Sequence, residues 1–98
     1  MGMAIARLGD VCTGHDCYPS RPNVQGSGNV FVCGIPAHRM GDGWASHCHC
    51  GDDGCHGGVT VRSSGTVFCN GLGLARVGDK VSCGSSIATG CGTCTAGG

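Results

Sequence analysis

The 98-residue chain has no glutamate, a single lysine (Lys80), three leucines and only four aromatic residues: Tyr18, Phe31, Trp44 and Phe68. Each shortage excludes something. Glutamate, lysine and leucine are among the better helix formers, and the 21 glycines that stand instead disfavour helix by about 1 kcal/mol per site relative to alanine. Helical bundles and coiled coils are therefore excluded. Six basic and six acidic residues cancel, with no basic cluster, which argues against electrostatic nucleic-acid binding and against a polybasic membrane anchor. Four aromatics are too few for a base-stacking surface. No apolar run approaches the roughly 20 residues of a membrane-crossing helix. Met3-Ala4-Ile5-Ala6-Arg7 has no apolar core of the kind that opens a secretory signal peptide. The chain reads as one domain, 1–98, with too few large apolar side chains to be held by an ordinary core alone, so a staple is expected.

What the chain has in excess is cysteine and histidine, ten and five respectively. An even cysteine count suits a secreted disulfide scaffold, but the missing signal peptide weighs against it. Cysteines serving as small buried hydrophobes, combined with a Cys/His metal site for which zinc is the default, is the favoured reading. The four-cysteine zinc signature is absent. Cys91-x-x-Cys94 is a lone CxxC pair in a glycine-rich tail, with no helix after it to lower a thiol pKa. No nucleophile–histidine–carboxylate constellation stands out, and no Gly-Lys-Ser/Thr follows the Gly-Ser-Gly stretch, so neither hydrolase chemistry nor a phosphate loop is expected. The chain reads as a non-enzyme.

The chain also repeats itself, and repeats fix architecture. Gly26-Ser27-Gly28-Asn29-Val30-Phe31-Val32-Cys33-Gly34 returns as Ser63-Ser64-Gly65-Thr66-Val67-Phe68-Cys69-Asn70-Gly71. Downstream, Arg39-Met40-Gly41-Asp42 returns as Arg76-Val77-Gly78-Asp79, and Arg7-Leu8-Gly9-Asp10 is a third copy. The Gly-Ser-Gly motif recurs near the end as Gly90-Cys91-Gly92. Two full units are thus flanked by two half units. Asn29–Val32 and Thr66–Cys69 read as strands, Cys33-Gly34 and Asn70-Gly71 as hairpin turns, and Ile35–Met40 and Leu72–Val77 as returning strands. Pro36 suits only an edge or the start of a strand. Equivalent places make Phe31 and Phe68 expected core residues. Asp10, Asp42 and Asp79 are expected in turns.

Potential metal ligands fall in register with the repeat. His15 and His47 each lie five residues after the unit's aspartate, and Cys83 lies four after Asp79. If the units surround a pseudo-threefold axis, these three side chains converge. Tetrahedral zinc needs a fourth ligand, for which His56 and His49 are candidates, with Cys48, Cys50 and Cys55 nearby. His56 can re-enter the site from the far end of a loop and ranks above His49. A separate thiolate site of Cys48, Cys50, Cys55 and His49 is a lesser alternative. His38 lies outside the register and reads as a surface or packing residue.

At residues 26–42, Gly-Ser-Gly-Asn-Val-Phe-Val-Cys-Gly-Ile-Pro-Ala-His-Arg-Met-Gly-Asp, the chain resembles the PAAR-repeat family, named for Pro-Ala-Ala-Arg. The second copy, 63–79, and Lys80-Val81-Ser82-Cys83-Gly84 extend the resemblance over nearly the whole chain. It departs at Pro36-Ala37-His38-Arg39 and at Gly73-Leu74-Ala75-Arg76, and its cysteines are more numerous than the family leads one to expect. The resemblance implies an all-β fold: a small cone of hairpins with pseudo-threefold symmetry and no substantial helix. It implies one zinc per chain near the apex, held by three histidines and a cysteine, which map here onto His15, His47, His56 and Cys83. It implies a structural role as the sharp tip of a trimeric β-helical spike, one tip per trimer. Such a spike is the valine-glycine repeat protein of type VI secretion or a phage central spike. The tip would be made in a bacterial cytoplasm and delivered across a target envelope, with neither nucleic acid nor stable membrane insertion involved. The alternative is a free-standing zinc-binding or redox Cys/His module.

Overall fold

Backbone amides of a glycine-rich chain with short β-branched runs can be satisfied only by short, closely turned ladders, and the fold is built from these. The computed structural model describes residues 2–51 and 54–98. Its strands are β1 (Met3–Ile5), β2 (Phe31–Val32), β3 (Ile35–Pro36), β4 (Gly43–Cys48), β5 (Cys55–Val59), β6 (Phe68–Cys69), β7 (Leu72–Gly73) and β8 (Cys91–Ala96). They form four antiparallel pairs, β1–β8, β2–β3, β4–β5 and β6–β7, and no helix occurs among the described residues. The fold is therefore all-β, as the glycine content and repeat require. The strands are shorter than the sequence suggests, and isolated bridges at Ala37 and Arg39 continue the returning segments. Both repeat hairpins turn at two residues with positive φ, Cys33 (53°) and Gly34 (76°) in one and Asn70 (54°) and Gly71 (78°) in the other. This double left-handed geometry matches the right-handed twist of the flanking strands.

The two half units make a whole one. Phe31 pairs with Pro36 and Val32 with Ile35; Phe68 pairs with Gly73 and Cys69 with Leu72. In the third unit Thr95 pairs with Ala4 and Ala96 with Met3. The chain's two ends thus meet as a third hairpin that lacks its turn.

The three units close on each other in a ring. Ala6 N donates to Ala75 O (2.9 Å), Ala75 N to His38 O (3.1 Å) and His38 N to Ala6 O (3.0 Å). A second circuit runs Leu8 N to Pro36 O, Met40 N to Gly73 O and Val77 N to Ala4 O. This is the pseudo-threefold symmetry that the repeat implied. Each Arg-x-Gly-Asp element is a clip beside the ring. In all three, the arginine Nε donates to one carboxylate oxygen and Nη2 to the other, at 2.9–3.2 Å. The same carboxylate also accepts the arginine's own backbone N–H, at 2.7–2.9 Å. The aspartates do sit in turns, and they lock them. Burial alone would raise the Asp10 pKa, but hydrogen bonds from Arg7 and Thr89 hold it below the ordinary carboxylate range.

Core residues come in symmetric triplets on two levels. Ile5, Ala37 and Leu74, with Val32, Cys69 and Ala96, fill the hairpin side. Cys12, Trp44 and Val81, with Ala6, Ala75 and Ile87, fill the other. His38 replaces the ring alanine in the middle unit and is fully buried, which settles the two readings of it in favour of packing. Its Nδ1–H donates to Gln25 O (2.8 Å), and its Nε2 lies 2.7 Å from the Thr60 hydroxyl, which accepts from Trp44 Nε1 at 2.8 Å. A carbonyl cannot donate, so the proton is on Nδ1. Burial, partly offset by the Gln25 hydrogen bond and Asp42, pushes its pKa below the ordinary histidine value.

One core expectation fails. Phe31 and Phe68 are 58% and 60% exposed. Equivalent places in the repeat put them on the outer face of a two-stranded ribbon, and among the described residues nothing buries that face. The inner face is filled by Val32 and Cys69, while Val30 and Val67 stay partly exposed.

Two outcomes follow. Arg76 and Asp79 are 2% and 1% exposed, so Asp79→Asn strands a buried guanidinium and lowers the unfolding free energy by about 3–5 kcal/mol. Asp10→Asn, beside a more exposed arginine, costs less; denaturant titration of both variants checks the order. For His38, the folded pKa lies below the unfolded value of about 6.5. The unfolded chain takes up the proton first, so this contribution is intact above pH ~6.5 and is lost as pH falls below it. Subtracting the pH–stability curve of His38→Asn from that of the wild type isolates it, and a flat difference between pH 5 and 7 would refute it.

Candidate metal centre

In every unit the chain runs from hairpin, through the ring, to the segment after the aspartate. Three such segments therefore emerge on the same side of the ring. His15 lies in a tight reversal where His15 N donates to Tyr18 O and Tyr18 N to His15 O, with Asp16 at positive φ (47°). His47 on β4 and His56 on β5 are directly opposed partners, so their side chains share one face of the ribbon. Cys83 sits in a turn closed by Gly84 N to Val81 O. β5 approaches this turn so closely that a Cβ at Gly58 would meet Ser82 Oγ at 2.9 Å and Val81 Cγ1 at 3.1 Å. Glycine there is what lets the hairpin reach the Cys83 turn.

The result is a cluster of His15, His47, His56 and Cys83 whose ligand atoms lie within 4.8 Å of one another. His56 Nε2 is 3.0 Å from His15 Nε2 and 2.8 Å from His47 Nε2. His47 is buried and its Nδ1–H donates to Pro19 O at 2.8 Å, so its Nε2 presents a lone pair. Such a hydrogen bond on the outer nitrogen is the usual device for fixing a ligating imidazole. Burial, and then the neighbouring His47 and His15, hold the His56 pKa below its ordinary value. The donor geometry suits a cation. Metal–nitrogen bonds of about 2.0–2.1 Å in a tetrahedron put nitrogens about 3.3 Å apart, close to the separations seen, and a cation satisfies all the converging lone pairs together.

His49, the other candidate fourth ligand, is elsewhere. It lies with Cys17 and Cys50, and its Nδ1 accepts Gly51 N–H at 3.0 Å. The separate thiolate site is excluded as drawn, because Cys48 and Cys55 are bonded to each other and Cys50 to Cys17. Disulfides also correct the reading of the cysteines as mainly buried hydrophobes. Six of the ten are paired: Cys17–Cys50, Cys33–Cys91 and Cys48–Cys55. Only Cys12 and Cys69 are free and buried. Two of the bonds frame the cluster. Cys48–Cys55 fastens the ribbon one pair beyond His47 and His56, and Cys17–Cys50 fastens the His15 reversal to that ribbon. Sequence reasoning missed Tyr18, whose ring centroid is 4.3 Å from that of His56 and within 4.9 Å of those of His15 and His47. Its place three residues after His15 was the available signal.

The chain matches no protein-family model and no curated protein. None of the described residues form a helix long and apolar enough to cross a membrane.

Cobalt(II) reports the centre directly. Titrated into the oxidised protein, it should give the absorption of a tetrahedral site with one sulfur ligand, at one equivalent per chain. Cys83→Ala and His56→Ala should each weaken binding by more than about 100-fold, beyond the range of an outer-shell change, while His49→Ala changes it by no more than a few-fold. Loss of the site in His49→Ala would assign the fourth ligand wrongly.

Proposed function

We propose that this chain is a non-enzymatic, zinc-stabilised spike tip of the PAAR-repeat type, the sharp end of a contractile injection machine. The observation that carries it is a single chain folded as three equivalent units around a closed ring, with a three-histidine, one-cysteine cluster on one side. Three nitrogens and a thiolate suit zinc, whose ligands are imidazole and cysteine and whose structural sites are four-coordinate and closed. The metal would be held by His15, His47, His56 and Cys83. It would supply folding energy where a narrowing end has no volume for a core.

The other side of the ring supports a threefold partner. Phe31 and Phe68 stand exposed at equivalent places, with Val30 and Val67 beside them. The third unit places Thr95 at the equivalent position, so a face with threefold backbone and two apolar corners is offered to the end of a trimeric β-helical spike, whose three unpaired strand edges need covering. One tip per trimer follows from the symmetry. A location at the end of such a spike, reached from the cytoplasm of the bacterium that makes it, belongs to the same reading.

Purified protein is expected to carry one zinc per chain and to form a 3:1 complex with a trimeric spike protein of a contractile injection system. Phe31→Asp with Phe68→Asp should abolish the complex and leave the zinc content unchanged. Zinc without any spike complex would instead favour a free-standing Cys/His module. Absence of zinc from protein with intact disulfides would defeat both.

A further inference from the structure

The ring's three unit-to-unit contacts on the hairpin side are equivalent in place but not in chemistry. In the first, the Ser27 hydroxyl lies 2.6 Å from Asn70 Oδ1, the turn residue of the neighbouring hairpin. In the second, the Ser64 hydroxyl donates to Gly97 O at 2.5 Å. In the third, Cys91 occupies the serine position and Cys33 the turn position, and a disulfide replaces the hydrogen bond. This third contact is the seam where the chain's two ends form the hairpin without a turn.

A free thiol sits against that bond. Cys94 is unpaired and half-buried, and the Cys33, Cys91 and Cys94 sulfurs lie within 4.8 Å of one another. The Thr93 hydroxyl, between Cys91 and Cys94 in sequence, is 3.2 Å from Cys91 Sγ and 3.5 Å from Cys33 Sγ. Disulfide sulfurs carry no hydrogen, so Thr93 is the donor to either.

We infer that Cys33, Cys91, Cys94 and Thr93 form an internal thiol–disulfide exchange site that latches and unlatches the seam. Cys94 loses its proton and its sulfur attacks Cys91 Sγ. A Cys94–Cys91 bond forms, the Cys91–Cys33 bond breaks, and Cys33 leaves as a thiolate that takes up the proton. Sulfur oxidation is unchanged overall, so no external oxidant or reductant enters. Attack at Cys91 is the favoured direction because it expels Cys33, which is exposed, whereas attack at Cys33 would expel a buried Cys91 thiolate at a desolvation cost. A hydrogen bond from Thr93 stabilises the departing sulfur. Proximity replaces the lowered thiol pKa that such sites usually draw from a helix N-terminus. The product is a Cys91–Cys94 bond within one strand, a seam without its cross-link, and a reactive Cys33 thiol beside the exposed Phe31.

The test uses oxidised full-length protein, free of reductant, shifted from pH 6 to higher pH and quenched with N-ethylmaleimide. Peptide mass mapping then follows the alkylated cysteines. Labelled Cys33 and the Cys91–Cys94 bond should appear together. Their rate of appearance should rise about tenfold per pH unit below the ordinary thiol pKa of about 8.5, because the thiolate is the attacking form. Cys94→Ser should never label at Cys33. Cys33→Ser, refolded with oxidised glutathione, should close Cys91–Cys94 and lose two hydrogens of mass. Wild-type protein labelled only at Cys94 among these three, at every pH, would overturn the exchange. So would a Cys33→Ser protein in which Cys91 and Cys94 both stay alkylatable.

Discussion

A backbone amide buried at the meeting point of three chain segments must find an acceptor, and here each segment's acceptor belongs to the next. Ala6, His38 and Ala75 pass one hydrogen bond around a closed circuit, so all three are satisfied only when every unit is in place, and removing any one unit leaves a donor unpaired. Leaving a buried donor unpaired costs roughly 1–3 kcal/mol, which makes the circuit all-or-none. It also sets what fits beside it. Two of the three positions are alanines, and the arginine that follows each of the three clamps its own aspartate. Everything else hangs from this ring: hairpins on one side, ligand-bearing segments on the other.

Symmetry of this kind is useful for where it breaks. The middle ring position carries His38 in place of alanine, and Gln25 O and the Thr60 hydroxyl satisfy its two nitrogens, Trp44 donating in turn to Thr60. On the ligand side the repeat offers histidine twice and cysteine once, and β5 returns a third histidine opposite the second. On the hairpin side one of three serine contacts is a disulfide. Repetition fixes the backbone in three units, while the deviations carry chemistry that three identical units could not. The fourth member of the cluster, His56, lies outside the threefold set and stands on β5 opposite His47.

Much of this was legible from residues. Arg-x-Gly-Asp occurring three times gave the count of three units and the aspartate turns, while the Arg–Asp clips and the closed ring appear only in the fold. Glycine after Cys33 and Asn70 announced left-handed turns. That His15, His47 and Cys83 come together was legible from register, and that His56 joins them from its place at the end of a loop. The exposure of Phe31 and Phe68 was not legible, since a period-two ribbon gives no sign of which face is covered until a partner surface exists. Nor were the disulfides. Cys17 and Cys50 are 33 residues apart and Cys33 and Cys91 are 58, and pairings at such separations depend on a closed ring that local sequence does not describe. Cys48–Cys55 follows only once β4 and β5 are known to pair.

The shortage of large apolar residues acquires a location in this light. Core triplets such as Ile5, Ala37 and Leu74 are small and sit close to the ring, so both ends of the molecule lie beyond their reach. The two ends need different remedies. At one end His15, His47, His56 and Cys83 come together, a donor set that could hold a cation where no apolar core reaches. At the hairpin end the difficulty is entropic, because one hairpin of three has no turn and its strands come from opposite ends of the chain. A cross-link closing a 58-residue separation contributes about 4 kcal/mol in the chain-entropy account. Cysteine stands at both ends, Cys83 in the candidate metal cluster and Cys33, Cys91 and Cys94 at the seam.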